Sequence, residues 1–184
     1  MSYLRPAFML TLIFTLLTGL AYPLAMTGLL QSLFPQQANG SLVKSGDTII
    51  GSNLIGQNFP SDKYFHSRPS SAGKDGYDAT ASGGSNLAPS SKDLVSGIKQ
   101  RVADLGGGPV PADLVMGSGS GLDPDISPQA ALFQVARVAK ARNLTEDQIK
   151  TLVAQTITQP TFGFLGDARV NVLGLNMALD KMNK

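Results

Sequence analysis

Ala7–Phe34 reads AFMLTLIFTLLTGLAYPLAMTGLLQSLF, and no charged residue lies between Arg5 and Lys44. This stretch decides the fold class. At about 1.5 Å of rise per residue, a helix over Ala7–Leu30 extends roughly 36 Å, enough to cross a hydrocarbon core of about 30 Å with some tilt. Its threonines can return their hydroxyls to carbonyls one turn back. Pro23 removes one backbone hydrogen bond, which predicts a kink of the kind that membrane helices tolerate beside a neighbour. The competing reading is a cleaved signal peptide, which needs an apolar run of about 7–15 residues and a small-x-small exit. Here the run is too long, and Ala21 and Ala25 stand four apart with Pro23 between them. A retained span is expected. Arg5 and the amino terminus face an uncharged Gln36–Val43, so the positive-inside bias sets the topology. Residues 1–6 are expected in the cytoplasm, 7–34 as the span and its exit, and 35–184 outside the cytoplasm as one domain of ordinary size.

Composition narrows the function. The 184 residues carry 15 Lys+Arg against 13 Asp+Glu, a net charge of +2, with no Cys, no Trp and one His. So small a surplus, with both signs scattered, cannot form the basic stripe that neutralises a run of phosphates, which excludes nucleic acid as a partner. Without Cys there is no disulfide framework, no thiol nucleophile and no thiolate-ligated zinc or iron–sulfur cluster.

The outer region divides into two textures. Short β-type runs at Ser41–Val43, Thr48–Ile50 and Asn53–Ile55, punctuated by Gly46, Gly51 and Gly56, predict a small meander, and Gly73–Ser90 is a loop by composition. Beyond it the pattern is helical. Ser90-Ser91-Lys92-Asp93 caps a helix with Leu94, Val95, Ile98, Val102 and Leu105 on one face, stopped by Gly106-Gly107-Gly108-Pro109. Ser127-Pro128 starts a second helix that runs through Leu132, Val135, Ala136, Val138 and Ala139 to Asn143. The capping box Thr145-Glu146-Asp147-Gln148 opens a third, leading into Ile149, Leu152, Val153 and Ile157. A last helix is expected over Val172–Met182, burying Leu175, Leu179 and Met182. The fold class is therefore α+β: one N-terminal transmembrane helix followed by a single extracytoplasmic α+β domain.

Catalytic constellations are missing. The one Gly-Lys, at Gly73-Lys74-Asp75, lacks both the upstream Gly and the following hydroxyl of a P-loop, and there is no phosphorylated Asp-Lys-Thr-Gly type of sequence. Gly117-Ser118-Gly119-Ser120-Gly121 has the composition of an anion-binding loop, and equally that of a tight connection before a helix. His66 could serve a Ser-His-Asp arrangement, but no Ser sits in a G-x-S-x-G elbow, and Tyr64-Phe65-His66-Ser67-Arg68-Pro69 reads as an aromatic anchor on a turn. Asp123 and Asp125 could share a cation, but two carboxylates alone make a poor site, and they read better as caps for the next helix. No catalytic or metal-binding residue is expected.

These residues also carry a resemblance. Gly51-Ser52-x-Leu54-Ile55-Gly56-Gln57-x-Phe59, Tyr64-Phe65-His66-x-Arg68-Pro69-Ser70, Ser82-Gly83-Gly84-Ser85-Asn86-Leu87 and Ser118-Gly119-Ser120-Gly121-Leu122-Asp123 follow one another in order. Ile126-Ser127-Pro128-Gln129-Ala130-Ala131, Gln134-x-x-Arg137-Val138-Ala139-x-Ala141-Arg142 and Val170-Asn171-Val172 with Leu175-Asn176-x-Ala178-Leu179-Asp180 complete the set. Together they resemble the C subunit of the bacterial Kdp potassium-importing P-type ATPase, over nearly the whole chain. The resemblance implies a non-catalytic accessory subunit of the inner membrane, partnered by a potassium-carrying A subunit, an ATP-hydrolysing B subunit and a small F subunit. It also implies a catalytic chaperone that raises the ATP affinity of the B subunit through a transient ternary complex, with no firmly bound cofactor. On the orientation above, such an effect is a coupling through the complex, typically about 1–3 kcal/mol. Candidate interface residues are Gly19, Ala21, Ala25 and Gly28 in the span and Tyr64, Phe65 and Arg68 on the turn, with Asn86, Ser118, Ser120, Asp123, Gln134 and Arg137 from the motifs. Tyr64 and Phe65 have an alternative role, filling the domain's own core. Met116-Gly117 and Asp125 depart from the family pattern, and no role is transferred to them. A second class remains open: a free-standing membrane-anchored domain that binds a small solute.

Overall fold

The computed structural model describes residues 3–182, so Met1 and Ser2 of the expected cytoplasmic tail and the last two residues of the expected outer domain lie outside the described residues. The chain forms two compact units, one ending at Ser52 and the other beginning at Asn53. The strands expected before residue 52 thus group with the apolar helix.

In the first unit, helix α1 (Leu4–Leu33) is long and apolar enough to cross a membrane. Its side chains are exposed along their whole length except at Met26, which is half-buried. The disturbance expected from Pro23 takes the form of a π-helical turn over Leu17–Ala21, where the Tyr22 N–H reaches back five residues to the Leu17 carbonyl. A proline ring collides with the carbonyl four residues earlier, here that of Gly19, and the wider turn relieves the collision without ending the helix. The Thr18 hydroxyl donates to the Phe14 carbonyl at 2.6 Å, as expected of a threonine inside an apolar helix. After a turn at Pro35–Ala38, β1 (Leu42–Ser45) and β2 (Thr48–Ser52) pair antiparallel, with a bulge between Val43 and Lys44. Gly46, at φ +62°, supplies the left-handed first position of the two-residue hairpin turn. Asn53–Ile55 is a turn, not the third strand that its composition suggested. The backbone there bonds elsewhere: the Asn53 carbonyl accepts from the Asn171 side chain, and the Gly56 N–H donates to the Leu122 carbonyl.

The second unit holds helices α2 (Lys92–Asp104), α3 (Pro128–Arg142), α4 (Glu146–Thr156) and α5 (Val172–Lys181). It also holds a small antiparallel sheet of β3 (Asp125–Ile126), β4 (Ile157–Thr158) and β5 (Arg169–Asn171), in the order β3-β5-β4 with Val170 at its centre. The helix starts match their caps. Ser91 accepts from the Leu94 N–H, Ser127 from Ala130 with Pro128 in the first turn, and Thr145 forms the full capping box with Gln148. Asn143 ends α3 in the left-handed conformation at φ +56°. Phe65, Ile126, Val135, Val138, Ile149, Val153, Val170, Leu175 and Leu179 form the core, so α3, α4 and α5 close over the sheet. On α3, Leu132 and Ala136 point outward while Gln134 points in. Two helical faces, those of α5 and α2, differ from expectation: Met182 stays exposed beyond the end of α5, and α2 is only half-buried, with Val95 open to solvent.

Candidate functional site

Backbone groups that run through a core must find partners, because an orphaned buried N–H or C=O costs about 1–3 kcal/mol. Segment 62–66 leaves a turn closed by the Tyr64 N–H on the Ser61 carbonyl and enters the core at Phe65, and side chains from α3 and α5 serve it. The Asn176 amide brackets Phe65, accepting from its N–H at 2.8 Å and donating to its carbonyl at 3.0 Å. Gln134 does the same for His66, at 2.7 and 3.2 Å. The Arg137 guanidinium donates to the carbonyls of Asp62 and Tyr64, and Arg142 donates to that of Lys63. Five consecutive carbonyls are thus held by helix side chains. Arg142 also lies 4.8 Å above the Tyr64 ring and pairs with Asp180, which accepts from the Tyr64 hydroxyl. Phe65 and Gln134 are buried, and Tyr64 and Arg137 are engaged within the domain. Of the motif, Phe65 fills the domain's own core, and Tyr64 is half-buried outside it.

The two glycine-rich motifs meet each other. The Gly83 N–H and the Ser82 hydroxyl both donate to the Ser120 carbonyl, at 2.8 and 3.0 Å. A Cβ on Gly121, at φ +67°, would stand 2.6 Å from the Gly83 carbonyl oxygen. The Gly121 N–H bonds the Ser118 carbonyl and the Leu122 N–H bonds the Ser120 hydroxyl. These loops are closed on one another. Ser70 stitches the junction further, donating to the Gly121 carbonyl while accepting from the Ala72 and Tyr77 N–H groups. Asn86 stands exposed at φ +53°, and Ser118 is half-buried beside Ser120.

The carboxylates serve arginines. Arg68 pairs with Asp123 at 2.9 Å, and Arg169 pairs with Asp125 at 3.1 Å. Neither acid caps α3, contrary to expectation: Ser127 is the cap, and Asp113 accepts from the Ser127 N–H at 2.8 Å. Asp123 instead accepts from the Asp125 N–H and fixes its own turn, while Asp125 also accepts from Asn171. Among the described residues no group of three or more His, Asp or Glu is arranged to hold a metal ion. A cleft of about 260 Å³ lies between α2 and the 57–69 segment, walled by Phe59, Pro60, Leu105 and Leu114 with His66 and Arg101 at its polar edge. Burial, and then the Arg137 charge, hold the His66 pKa below the ordinary histidine value.

In α1, Ala21, Ala25 and Gly28 recur at helical spacing and share one face, and Gly19 and Ala21 both lie within the π turn. Open space surrounds the positions where a Cβ would stand on Gly19 and Gly28. The residues that sequence reasoning missed are the partners of segment 62–66, namely Asn176, Arg142 and Asp180. One signal for the first of them was present: a carboxamide between Leu175 and Leu179 on an otherwise apolar helix face.

The molecule is an α+β domain whose polar side chains fasten loops to helices, joined in the chain to one apolar helix of membrane-spanning length. Comparison with known proteins extends this from class to family. A family model described as the c chain of the K+-transporting ATPase matches residues 4–181. The chain is similar to the potassium-transporting ATPase KdpC subunit of Rhodopseudomonas palustris (strain TIE-1), at 54% identity over 96% of this chain and 95% of the relative. It is equally similar to that of Gemmatimonas aurantiaca, at 54% over 100% and 94%, and 52% identical to that of Acidobacterium capsulatum over the full length of both. The chain belongs to the KdpC family.

Proposed function

We propose that this chain is the accessory subunit of a potassium-transporting ATPase, held in the inner membrane by α1 and contributing assembly and coupling rather than ATP hydrolysis or ion selection. One observation carries the reading: relatives named for that role match this chain at 52–54% identity across 94–100% of their own length, anchor and domain alike. Its partners on this reading are the A, B and F subunits. The face of α1 carrying Ala21, Ala25 and Gly28 packs against other spans, where small residues let backbones approach closely. With the N-terminus in the cytoplasm and the domain outside, the domain cannot touch ATP. Any influence on nucleotide affinity is then a free energy of coupling between distant sites, of about 1–3 kcal/mol.

The topology has its own test. The chain has no Cys, so Asp75→Cys, in an exposed loop, introduces a single thiol. A membrane-impermeant maleimide is expected to label it in intact cells whose outer membrane is permeable, at the same extent as after lysis. Labelling only after lysis places the domain in the cytoplasm and makes direct contact with ATP the better reading. The solute-binding alternative draws on the cleft beside His66, and a chain that purifies without partners favours it.

A further inference from the structure

The connection between β4 and β5 carries an exposed aromatic tip. Thr161 and Leu165 pair in an isolated bridge, and Phe162 and Phe164 between them are 83% and 75% exposed, with Leu165 at 52%. Among the other described residues of the second unit no large hydrophobic side chain is more than 61% exposed, and the one adjacent pair, Leu132 and Phe133, is 48% and 38% exposed. The tip has a fixed shape. The Thr161 N–H donates to Leu165, the Gly163 N–H to Pro160, and the Phe164 and Leu165 N–H groups to Thr161, all within 2.9–3.3 Å. Phe162 is held at φ +55°, a left-handed conformation that a bulky side chain adopts at a cost, and the turn presents both phenyl rings to water. An apolar surface that is ordered before it meets anything needs no further ordering to bind.

Resting on the reading as a complex subunit, we propose that Phe162, Phe164 and Leu165 form a docking knob that inserts into an apolar pocket on another polypeptide of the same membrane complex. Charge selects this occupant. No Lys or Arg lies between Lys150 and Arg169, and the one charged residue of the connection is Asp167. A loop that settles on anionic headgroups gains from basic residues, and interfacial belts favour Trp and Tyr, neither of which is present here. A symmetric contact with a second copy would bring two Asp167 carboxylates together. A neutral or basic rim on a protein pocket meets neither objection, and aromatic side chains are enriched in the cores of such interfaces.

The test uses the detergent-solubilised complex, purified through a tag on this chain. In the double variant Phe162→Ala and Phe164→Ala, recovery of the larger subunits is expected to fall at least tenfold, while thermal unfolding of the full chain stays within about 1 °C, because both rings are exposed. With the photoreactive benzophenone analogue in place of Phe164, irradiation of the purified complex is expected to join this chain to one other subunit of it. Unchanged recovery of partners with the double variant overturns the knob alone. Partners absent already with the native chain overturn the subunit reading as well. A lipid adduct, loss of binding to vesicles of anionic phospholipid, or an adduct of two copies of this chain assigns the tip to the bilayer or to self-association and also overturns the proposal.

Discussion

Asn176→Ala is expected to lower the thermal unfolding midpoint of the second unit by roughly 10 °C, corresponding to about 3 kcal/mol spread over a domain of this size. The side chain is 2% exposed and is the partner of both backbone groups of Phe65. Its removal leaves a donor and an acceptor orphaned in a core where water cannot replace them. Asn176→Leu separates hydrogen bonding from volume, since it restores bulk without either bond. The same loss in both variants identifies the bracketed backbone as the cause. Recovery to within about 1 kcal/mol in the leucine variant would show that only the filled space mattered. Full-length chain in mild detergent, followed by near-ultraviolet circular dichroism, gives the midpoint, and hydrogen exchange at the Phe65 amide reports the site directly.

The second large effect is expected at Gly121. Gly121→Ala should destabilise the domain by about 3 kcal/mol, combining the penalty for a side chain in the left-handed region with overpacking against backbone that cannot rotate away. The added carbon would stand 2.6 Å from the Gly83 oxygen and 2.8 Å from the Ala72 nitrogen. Two residues away, Gly119 has open space where its Cβ would go and no positive φ. Gly119→Ala should therefore change stability by less than about 0.5 kcal/mol. Equal effects at the two positions would contradict the close approach of the two glycine loops. The contrast explains why a motif that resembles an anion loop in composition behaves as a junction: its glycines let two backbones touch.

What was legible in the sequence was local. Ser91, Ser127 and the Thr145–Gln148 box mark helix starts because a cap acts on amides two or three residues ahead. The apolar run of α1 declares itself through composition alone, and Pro23 marks where the helix is disturbed, though not that a π turn would relieve it. The sheet was not legible, because strands of two or three residues such as β3 and β4 are too short to show alternation. Asn53–Ile55 has strand composition, yet the Asn53 carbonyl is claimed by Asn171 and the N–H of the following Gly56 by Leu122, both far along the chain. The candidate site failed to show for the same reason. Tyr64 and Phe65 look like surface anchors beside Pro69 until Gln134 and Asn176, distant in sequence, bracket the segment from within. The exposed rings lie instead at Phe162 and Phe164, where a glycine between two aromatics signals a turn that cannot bury them.

The central claim, that this chain works as a subunit and not alone, is tested most directly by isolating it at native abundance. Membranes expressing the tagged full-length chain are dissolved in mild detergent, and the eluate is sized and its components identified by mass. A particle far larger than this chain is expected, containing potassium-transporting ATPase subunits in fixed proportion to it and hydrolysing ATP in response to potassium. Elution of the chain by itself, with those subunits present in the same membranes but absent from the eluate, would contradict the claim.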